Sequence, residues 1–138
     1  MSGTYGALEF ARLWRGIGWL MLAVVVFLTL TPNPPKLGIT LLSWDKAQHT
    51  LAYAFLAWWF LQAGFSATTA TIVTGLILLG VALEFAQGAM GVRFMEVTDM
   101  VANALGVVIG WVLTRTPVGE VLSRLDAHMV KALDHVKR

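Results

Sequence analysis

Long apolar runs separated by short polar segments dominate the chain. Residues Gly16 to Pro35 contain no charged side chain, and the stretch from Ile17 to Thr31 is strongly apolar. A second charge-free run, Thr50 to Leu83, is about 34 residues long and would measure roughly 50 Å as one helix, well beyond the ~30 Å hydrocarbon core of a bilayer. This run must therefore fold back on itself, and the small and polar residues at 63–66 mark the turn.

The runs predict four membrane-spanning helices, at about 14–31, 47–64, 67–90 and 97–114. The proline-rich segment 32–35 cannot continue a helix and opens a loop that lasts to about Trp44. After the fourth run, apolar residues recur every three or four positions, which predicts an amphipathic helix over 117–138. The predicted fold is all-α: a four-helix transmembrane bundle over 1–116, with a C-terminal amphipathic peripheral helix on the membrane surface or against a partner.

The composition agrees with a membrane protein. Of the 138 residues, 57% are hydrophobic and 13% are charged, whereas about a quarter of an ordinary soluble domain is charged. The net charge of +2 and the absence of a basic stripe give no sign of nucleic-acid binding. The lack of cysteine excludes disulfides, thiolate catalysis and Cys-ligated metal sites. No small-residue cleavage pattern follows the first run, which favours a retained helix over a signal peptide.

The basic residues that flank the runs predict the orientation. Five lie on the side of the two termini and three on the opposite side: Arg12, Arg15, Arg115, Arg124 and Lys131 against Lys36, Lys46 and Arg93. Because basic flanks are enriched on the cytoplasmic side of a membrane, this count predicts that both termini are cytoplasmic.

Most polar residues within or beside the apolar runs fall at one end of the predicted bundle. They occupy the start of the second span, the end of the third, the loop after it and the start of the fourth: Asp45, Lys46, His49, Tyr53, Glu84, Gln87, Arg93, Asp99 and Asn103. Because consecutive spans alternate in direction, these segments meet on one side in either orientation. Gly106 and Gly110 continue the stripe of the fourth span in a small-xxx-small pattern, which is typical of close helix packing.

The spacing of these residues resembles that of the VanZ-like family of small integral membrane proteins. The pattern covers about residues 15–114 and reads Asp45-Lys46-x2-His49-x3-Tyr53-x2-Leu56, then Glu84-x2-Gln87-x5-Arg93-x5-Asp99-x3-Asn103-x2-Gly106-x3-Gly110. One member of the family is associated with teicoplanin resistance. The resemblance implies a bacterial inner-membrane protein with a cell-envelope role and these polar residues as its signature, but it implies no particular reaction.

Ionisable residues inside a membrane are costly and often functional. Glu84 is the candidate general base, with His49 as a proton relay and Asp99 as the third catalytic candidate. The candidate ligand-binding residues are Asp45, Lys46, Tyr53, Gln87, Arg93 and Asn103. The same cluster could hold a divalent cation, or it could be a network that only fastens three helices. No metal ligands and no cofactor are assigned, because no second histidine lies near His49.

Two functions from different classes follow from these residues. The first is a protein that binds, and in one version also processes, an anionic lipid-linked or glycopeptide-like molecule. The second is a non-catalytic subunit that stabilises or regulates a larger membrane assembly, with the helix at 117–138 contacting a second copy or another protein. A transporter subunit is a weaker third hypothesis, because four short spans form a pathway only in an oligomer. The sequence does not decide whether the protein is an enzyme.

Overall fold

The computed structural model describes residues 8–32, 45–91 and 93–136. Every regular element in these ranges is helical: α1 (Ala11–Leu30), α2 (Asp45–Gln62), α3 (Thr69–Met90), α4 (Val97–Leu113) and α5 (Val121–Val136), with a short 3-10 turn at Pro117–Glu120 before α5. The all-α prediction is confirmed, and the bounds of α1 to α4 agree closely with the four predicted segments. The predicted loop up to Trp44, with Lys36, lies outside the described residues.

The long charge-free run folds back between α2 and α3, where the sequence predicts a turn. Gly64 adopts a positive φ of 72°, a backbone conformation that side chains with a Cβ rarely adopt. Four residues later, the side chain of Thr68 accepts a hydrogen bond of 3.1 Å from the backbone N–H of Thr71. This cap satisfies one of the free amides at the start of α3. Local turn chemistry therefore ends one helix and begins the next.

The closest helix pair is α2 with α4, which run parallel from the same end of the molecule. Gly106 lies against the backbone carbonyl of Thr50, and Gly110 lies against that of Ala54. A Cβ atom at either glycine would collide with this backbone, which cannot rotate away as a side chain can. The small-xxx-small pattern thus brings the two backbones together, as it does in membrane helices generally.

The other two apolar helices run opposite to this pair. In α3, Gly80 lies against the side chain of Asn103 in α4, and in α1, Gly18 lies beneath the rings of Trp59 and Phe60 in α2. Consecutive helices from α1 to α4 therefore alternate in direction. Between them lies an apolar core formed by Tyr53, Leu56, Ala57, Phe60, Leu76 and Val107.

The distribution of polar and apolar side chains is the reverse of that in a water-soluble protein. Large apolar side chains on the outward faces are more than half exposed, among them Leu20, Phe27, Leu78 and Val101. Polar side chains are buried between the helices instead: Glu84, Gln87, Asp99 and Asn103. Contiguous exposed apolar faces mark membrane or interaction surfaces, and intramembrane polar residues face the interior of a protein.

Two described helices, α1 and α3, are long and apolar enough to cross a membrane by themselves. Helix α4 and the segment Pro117–Val136 count as a third span only if they are taken together, as one element bent by 79°. Helix α4 has 17 residues and is about 25 Å long, and α2 carries Asp45, Lys46 and His49 in its first two turns. These helices support the membrane class that the composition predicts.

Helix α5 is attached to the end of the molecule opposite the polar residues. Leu122 is fully buried in a cluster with Trp14 and Ala63. The indole N–H of Trp58 donates to the carbonyl of Val118 at 3.0 Å, at the 3-10 turn that precedes the helix. One face of the amphipathic helix therefore packs on α1 and α2 of its own chain.

The contact of α5 with α1 is centred on one buried carboxylate. Asp126 accepts hydrogen bonds from the backbone N–H groups of Glu9, at 2.8 Å, and Phe10, at 3.0 Å, and from the indole of Trp14, at 2.7 Å. Burial raises the pKa of Asp126, but these three hydrogen bonds outweigh it and hold the pKa below its ordinary value. Sequence reasoning missed this role, although an acidic residue four positions after Leu122 on the apolar face was an available signal.

We expect Gly110→Ala to destabilise the protein by about 1–3 kcal/mol, because its Cβ would push α4 away from the backbone of α2. Gly75→Ala is the matched control, since a Cβ at Gly75 meets nothing within 4 Å. The melting temperature of each variant is measured by thermal unfolding in detergent. Equal melting temperatures for the two variants would contradict the close α2–α4 contact.

We expect Asp126→Asn to loosen α5, with a loss of about 1–3 kcal/mol, because an amide nitrogen would face N–H donors in a buried site. Tryptic cleavage after Arg124 and Lys131 should become faster than in the control Asp134→Asn, which changes an exposed residue of the same helix.

The same contact predicts a pH dependence. Because the folded-state pKa of Asp126 is lowered, its stabilisation is present above the ordinary aspartate pKa of ~4 and is lost as the pH falls through and below that value. The difference in stability between the wild type and Asp126→Asn should therefore shrink in acid. A difference that is constant from neutral to acidic pH would argue against an ionised Asp126.

Candidate functional site

The polar residues at the starts of α2 and α4 are joined by ion pairs. The ammonium of Lys46 lies 2.7 Å from a carboxylate oxygen of Glu96 and 2.5 Å from one of Asp99. The guanidinium of Arg93 lies 2.6 Å from a carboxylate oxygen of Asp45. These contacts connect the first turn of α2 to the segment that leads into α4.

The ion pairs shift the pKa values of their members toward the charged forms. Hydrogen bonds to Asp99 and Glu96 raise the pKa of Lys46, and the hydrogen bond from Lys46 lowers the pKa of Glu96. Burial raises the pKa of Asp45, but the hydrogen bond and charge of Arg93 outweigh it, so that this pKa is lowered overall. Lys46 and Arg93 remain 29% and 32% exposed, so solvent screens these pairs and each adds little to stability.

His49 occupies the centre of the cluster, with a side chain that is only 10% exposed. Its Nδ1 lies 3.0 Å from the side-chain oxygen of Asn103. An amide oxygen only accepts hydrogen bonds, so Nδ1 carries the proton in this arrangement. The other nitrogen, Nε2, lies 3.9 Å from a carboxylate oxygen of Asp45 and 3.8 Å from one of Asp99. In neutral His49, a lone pair therefore faces two carboxylates.

Glu84 is the most deeply buried charged residue among those described, with no exposed side-chain surface. One of its oxygens lies 4.0 Å from Nδ1 of His49, and neither oxygen makes a hydrogen bond of good geometry among the described residues, although the backbone amide of Glu96 approaches the carboxylate. The buried hydroxyl of Tyr53, in the same cluster, makes none either. Buried polar atoms in proteins are normally paired with protein, water or an ion, so these three atoms mark a place where a ligand, water or ion is expected.

The cluster is richer in acidic than in basic groups. Four carboxylates, those of Asp45, Glu84, Glu96 and Asp99, face the two permanent cations Lys46 and Arg93. Both cations are already paired with carboxylates, and Glu84, which the imidazole of His49 and the backbone amide of Glu96 approach, forms no direct ion pair with either of them. The unmatched charge is therefore negative, and it favours a proton or a cation at the centre of the site.

The structure brings the predicted residues together with one partial exception. Asp45, Lys46, His49, Glu84, Asp99 and Asn103 lie in one network with Arg93, and Tyr53 lies beside Glu84. The exception is Gln87, whose side chain donates at 2.7 Å to the backbone carbonyl of Thr29 in α1. It connects two helices rather than facing His49.

Lys46 and Arg93, which the sequence predicts to be ligand-binding residues, are only partly available for a ligand. Both side chains are engaged with carboxylates, the arrangement expected if they stabilise the fold. Both also lie at the partly exposed rim of the cluster, where an incoming anion could meet their remaining N–H groups. Glu96 joins this rim through its ion pair with Lys46.

Comparison with known proteins gives no match: no family model, no curated protein and no solved structure is significantly similar to this chain. The resemblance to VanZ-like proteins therefore rests on the spacing of the polar residues and the two glycines.

Proposed function

We propose that this chain is a multi-pass protein of the bacterial inner membrane, related to the VanZ-like family, and that the cluster around His49 and Glu84 is a ligand-binding site. The observation that carries the proposal is the buried Glu84 carboxylate, which makes no hydrogen bond of good geometry among the described residues and faces a histidine. Such a group costs free energy in a purely structural role, because a carboxylate without a partner destabilises the interior around it.

Four crossings are proposed for α1 to α4, with both termini in the cytoplasm. The alternating directions of these helices and their apolar outward faces support this arrangement. The shorter α2 and α4 are flanked at the site end by charged and polar side chains that would lie at the membrane interface, where water reaches them. In this orientation the site opens on the outer side of the membrane, next to the cell envelope.

The proposed ligand is an anionic lipid-linked or glycopeptide-like molecule of the envelope. Its apolar part would lie along the exposed apolar faces of the helices, and its anionic part would approach the rim formed by Lys46 and Arg93. Glu84 and His49 are the groups that would accept and relay a proton if the bound molecule is processed, with Asn103 holding the imidazole and Asp99 facing its other nitrogen.

A second candidate function is a stabilising or regulatory subunit of a larger membrane assembly. The ion pairs Lys46–Asp99 and Arg93–Asp45 support it, because they join α2 to the start of α4 in the way expected of a fastening network. The outward face of α5 also carries exposed apolar side chains, including Leu125 and Leu133, that could contact a second copy or another protein.

The variant Glu84→Gln separates the two functions. It keeps the shape of the side chain and removes the ionisable group, so we expect normal folding and membrane abundance with loss of function. The measurement is complementation of a strain that lacks this gene, grown under envelope stress, with the amount of protein in the membrane determined in parallel. Glu120→Gln, the same change at an exposed residue, should complement fully.

Full complementation by Glu84→Gln at normal abundance would overturn the binding-site proposal and leave the stabilising subunit. Loss of complementation at normal abundance, with Glu120→Gln active, supports the site. If Glu84→Gln is not made in normal amounts, Glu84→Asp serves as the second variant, because it keeps the charge and shortens the reach toward His49.

The proposed topology predicts a specific labelling pattern. The chain has no cysteine, so Ser66→Cys, Phe94→Cys and Lys131→Cys each introduce a single thiol. In spheroplasts, a membrane-impermeant maleimide should label only Phe94→Cys, and permeabilised cells should show all three. If only α1 and α3 cross the membrane and the N-terminus is cytoplasmic, Ser66→Cys is labelled and Phe94→Cys is protected. Labelling of both Ser66→Cys and Lys131→Cys would instead mean an inverted protein.

A further inference from the structure

The side chains of His49, Asp45 and Asp99 face one another across a gap of nearly 4 Å. Nε2 of His49 lies 3.8 Å from Asp99 and 3.9 Å from Asp45, and the three ligand atoms lie within 4.8 Å of one another. These distances are too long for hydrogen bonds. Two carboxylates and an imidazole lone pair around one point are electrostatically unfavourable unless a positive charge lies between them.

We infer that Asp45, His49 and Asp99 bind a divalent transition-metal ion, an inference that rests on the proposed ligand-binding site and specifies its chemistry. Metal–ligand distances of about 2.0–2.2 Å place neighbouring donor atoms roughly 3.4 Å apart in a tetrahedral site. The two separations from Nε2 of His49, 3.8 and 3.9 Å, would need to shorten by about half an ångström. The two carboxylate oxygens lie within 4.8 Å of each other and would need to approach as well, by rotation of the aspartate side chains.

Nδ1, the nitrogen that faces away from the aspartates, has the kind of hydrogen-bond partner that is typical of metal-bound histidines. A metal-bound histidine almost always donates its second N–H to a carboxylate, a carbonyl or water, which fixes the ring and its tautomer. In this chain Nδ1 lies 3.0 Å from the side-chain oxygen of Asn103, and a carboxylate oxygen of the buried Glu84 lies 4.0 Å from the same nitrogen. Nε2 is thereby directed toward the aspartates. Glu84 lies on the Nδ1 side of the ring, where it adds a second negative group behind the imidazole.

The neighbouring cations leave room for the metal. Lys46 binds Oδ1 of Asp99, whereas Oδ2 of the same carboxylate faces His49. Arg93 binds Oδ2 of Asp45, the oxygen that also faces His49, but a carboxylate oxygen has two lone-pair directions and can serve both. The two pairs therefore hold the aspartates in position and do not occupy the gap.

The donor set favours zinc or manganese over calcium or magnesium. One imidazole with two carboxylates combines a nitrogen ligand with oxygen ligands, which suits metal ions of intermediate softness such as zinc. Calcium and magnesium instead prefer six or more ligands, all of them oxygen atoms. Three protein ligands also leave a coordination position open. An anionic oxygen of the proposed envelope ligand could occupy that position, and a metal would explain how an acid-rich cluster accepts an anion.

The test is metal binding by the full-length, untagged protein in detergent. Metals are removed with EDTA and gel filtration, and the protein is then incubated with ZnCl₂ and desalted. We expect one Zn²⁺ per chain by elemental analysis and a higher melting temperature than that of the metal-free protein. Mn²⁺ should bind more weakly, in line with the general order of affinities, and Ca²⁺ should not compete. His49→Gln should lose the ion, and Asn103→Leu should lower the affinity about 10- to 100-fold by freeing the imidazole.

His128→Gln is the matched control, because His128 is exposed on α5 and lies outside the cluster; it should bind Zn²⁺ as the wild type does. If His49→Gln does not fold, Asp45→Asn takes its place, since that carboxylate lies at the partly exposed rim. Less than stoichiometric zinc in the wild type, or equal zinc in wild type and His49→Gln, would overturn the inference. Loss of complementation by Glu84→Gln without zinc binding would then leave the binding site standing without a metal.

Discussion

The backbone contact between α2 and α4 is the constraint on which the site depends. Gly106 and Gly110 allow α4 to lie directly on the carbonyls of Thr50 and Ala54. Any larger residue would separate the helices and move Asn103, one turn before Gly106, away from His49. The hydrogen bond that fixes the imidazole, and with it the direction of Nε2, therefore requires two residues that carry no chemistry of their own.

The charge distribution around His49 explains why the cluster is more than a set of ion pairs. Lys46 and Arg93 each have a carboxylate partner, and those pairs account for the attachment of α2 to α4. They leave the carboxylate of Glu84 without a hydrogen bond of good geometry among the described residues. A network selected only for stability would replace such a group by an apolar side chain, because a buried unpaired charge destabilises. The retained carboxylate is consistent with a group that meets a ligand, a proton or an ion.

The two ends of the molecule differ in how completely their buried polar groups are hydrogen-bonded. At the site end, polar groups are brought together between helices and remain partly unsatisfied. At the other end, Asp126 satisfies the free backbone amides before α1 and the indole of Trp14, in the way that an N-terminal cap does from within a helix. This contact holds α5 against α1 and α2 and buries Leu122. The remaining apolar side chains of α5 face outward.

The sequence by itself determined where the helices lie along the chain and at which end of the bundle their polar residues meet. Charge-free runs, the glycine turn at Gly64 and the proline-rich segment act locally, so they predict where α1 to α4 begin and end. The alternation of direction then brings the starts of α2 and α4 to the end of α3. Both inferences need only residue spacing, and both are independent of how the helices rotate about their axes.

Only the tertiary structure decided which groups are paired. The close contacts at the glycines set the rotation of each helix about its axis. As a result, Lys46 pairs with two carboxylates, Arg93 pairs with one, and Gln87 points toward α1 instead of the site. The tertiary structure also placed Asp126 over the start of α1, a contact that the sequence did not predict. Periodicity shows which face of a helix is apolar, but it does not contain the distance between side chains on different helices, and hydrogen bonds and ion pairs depend on that distance.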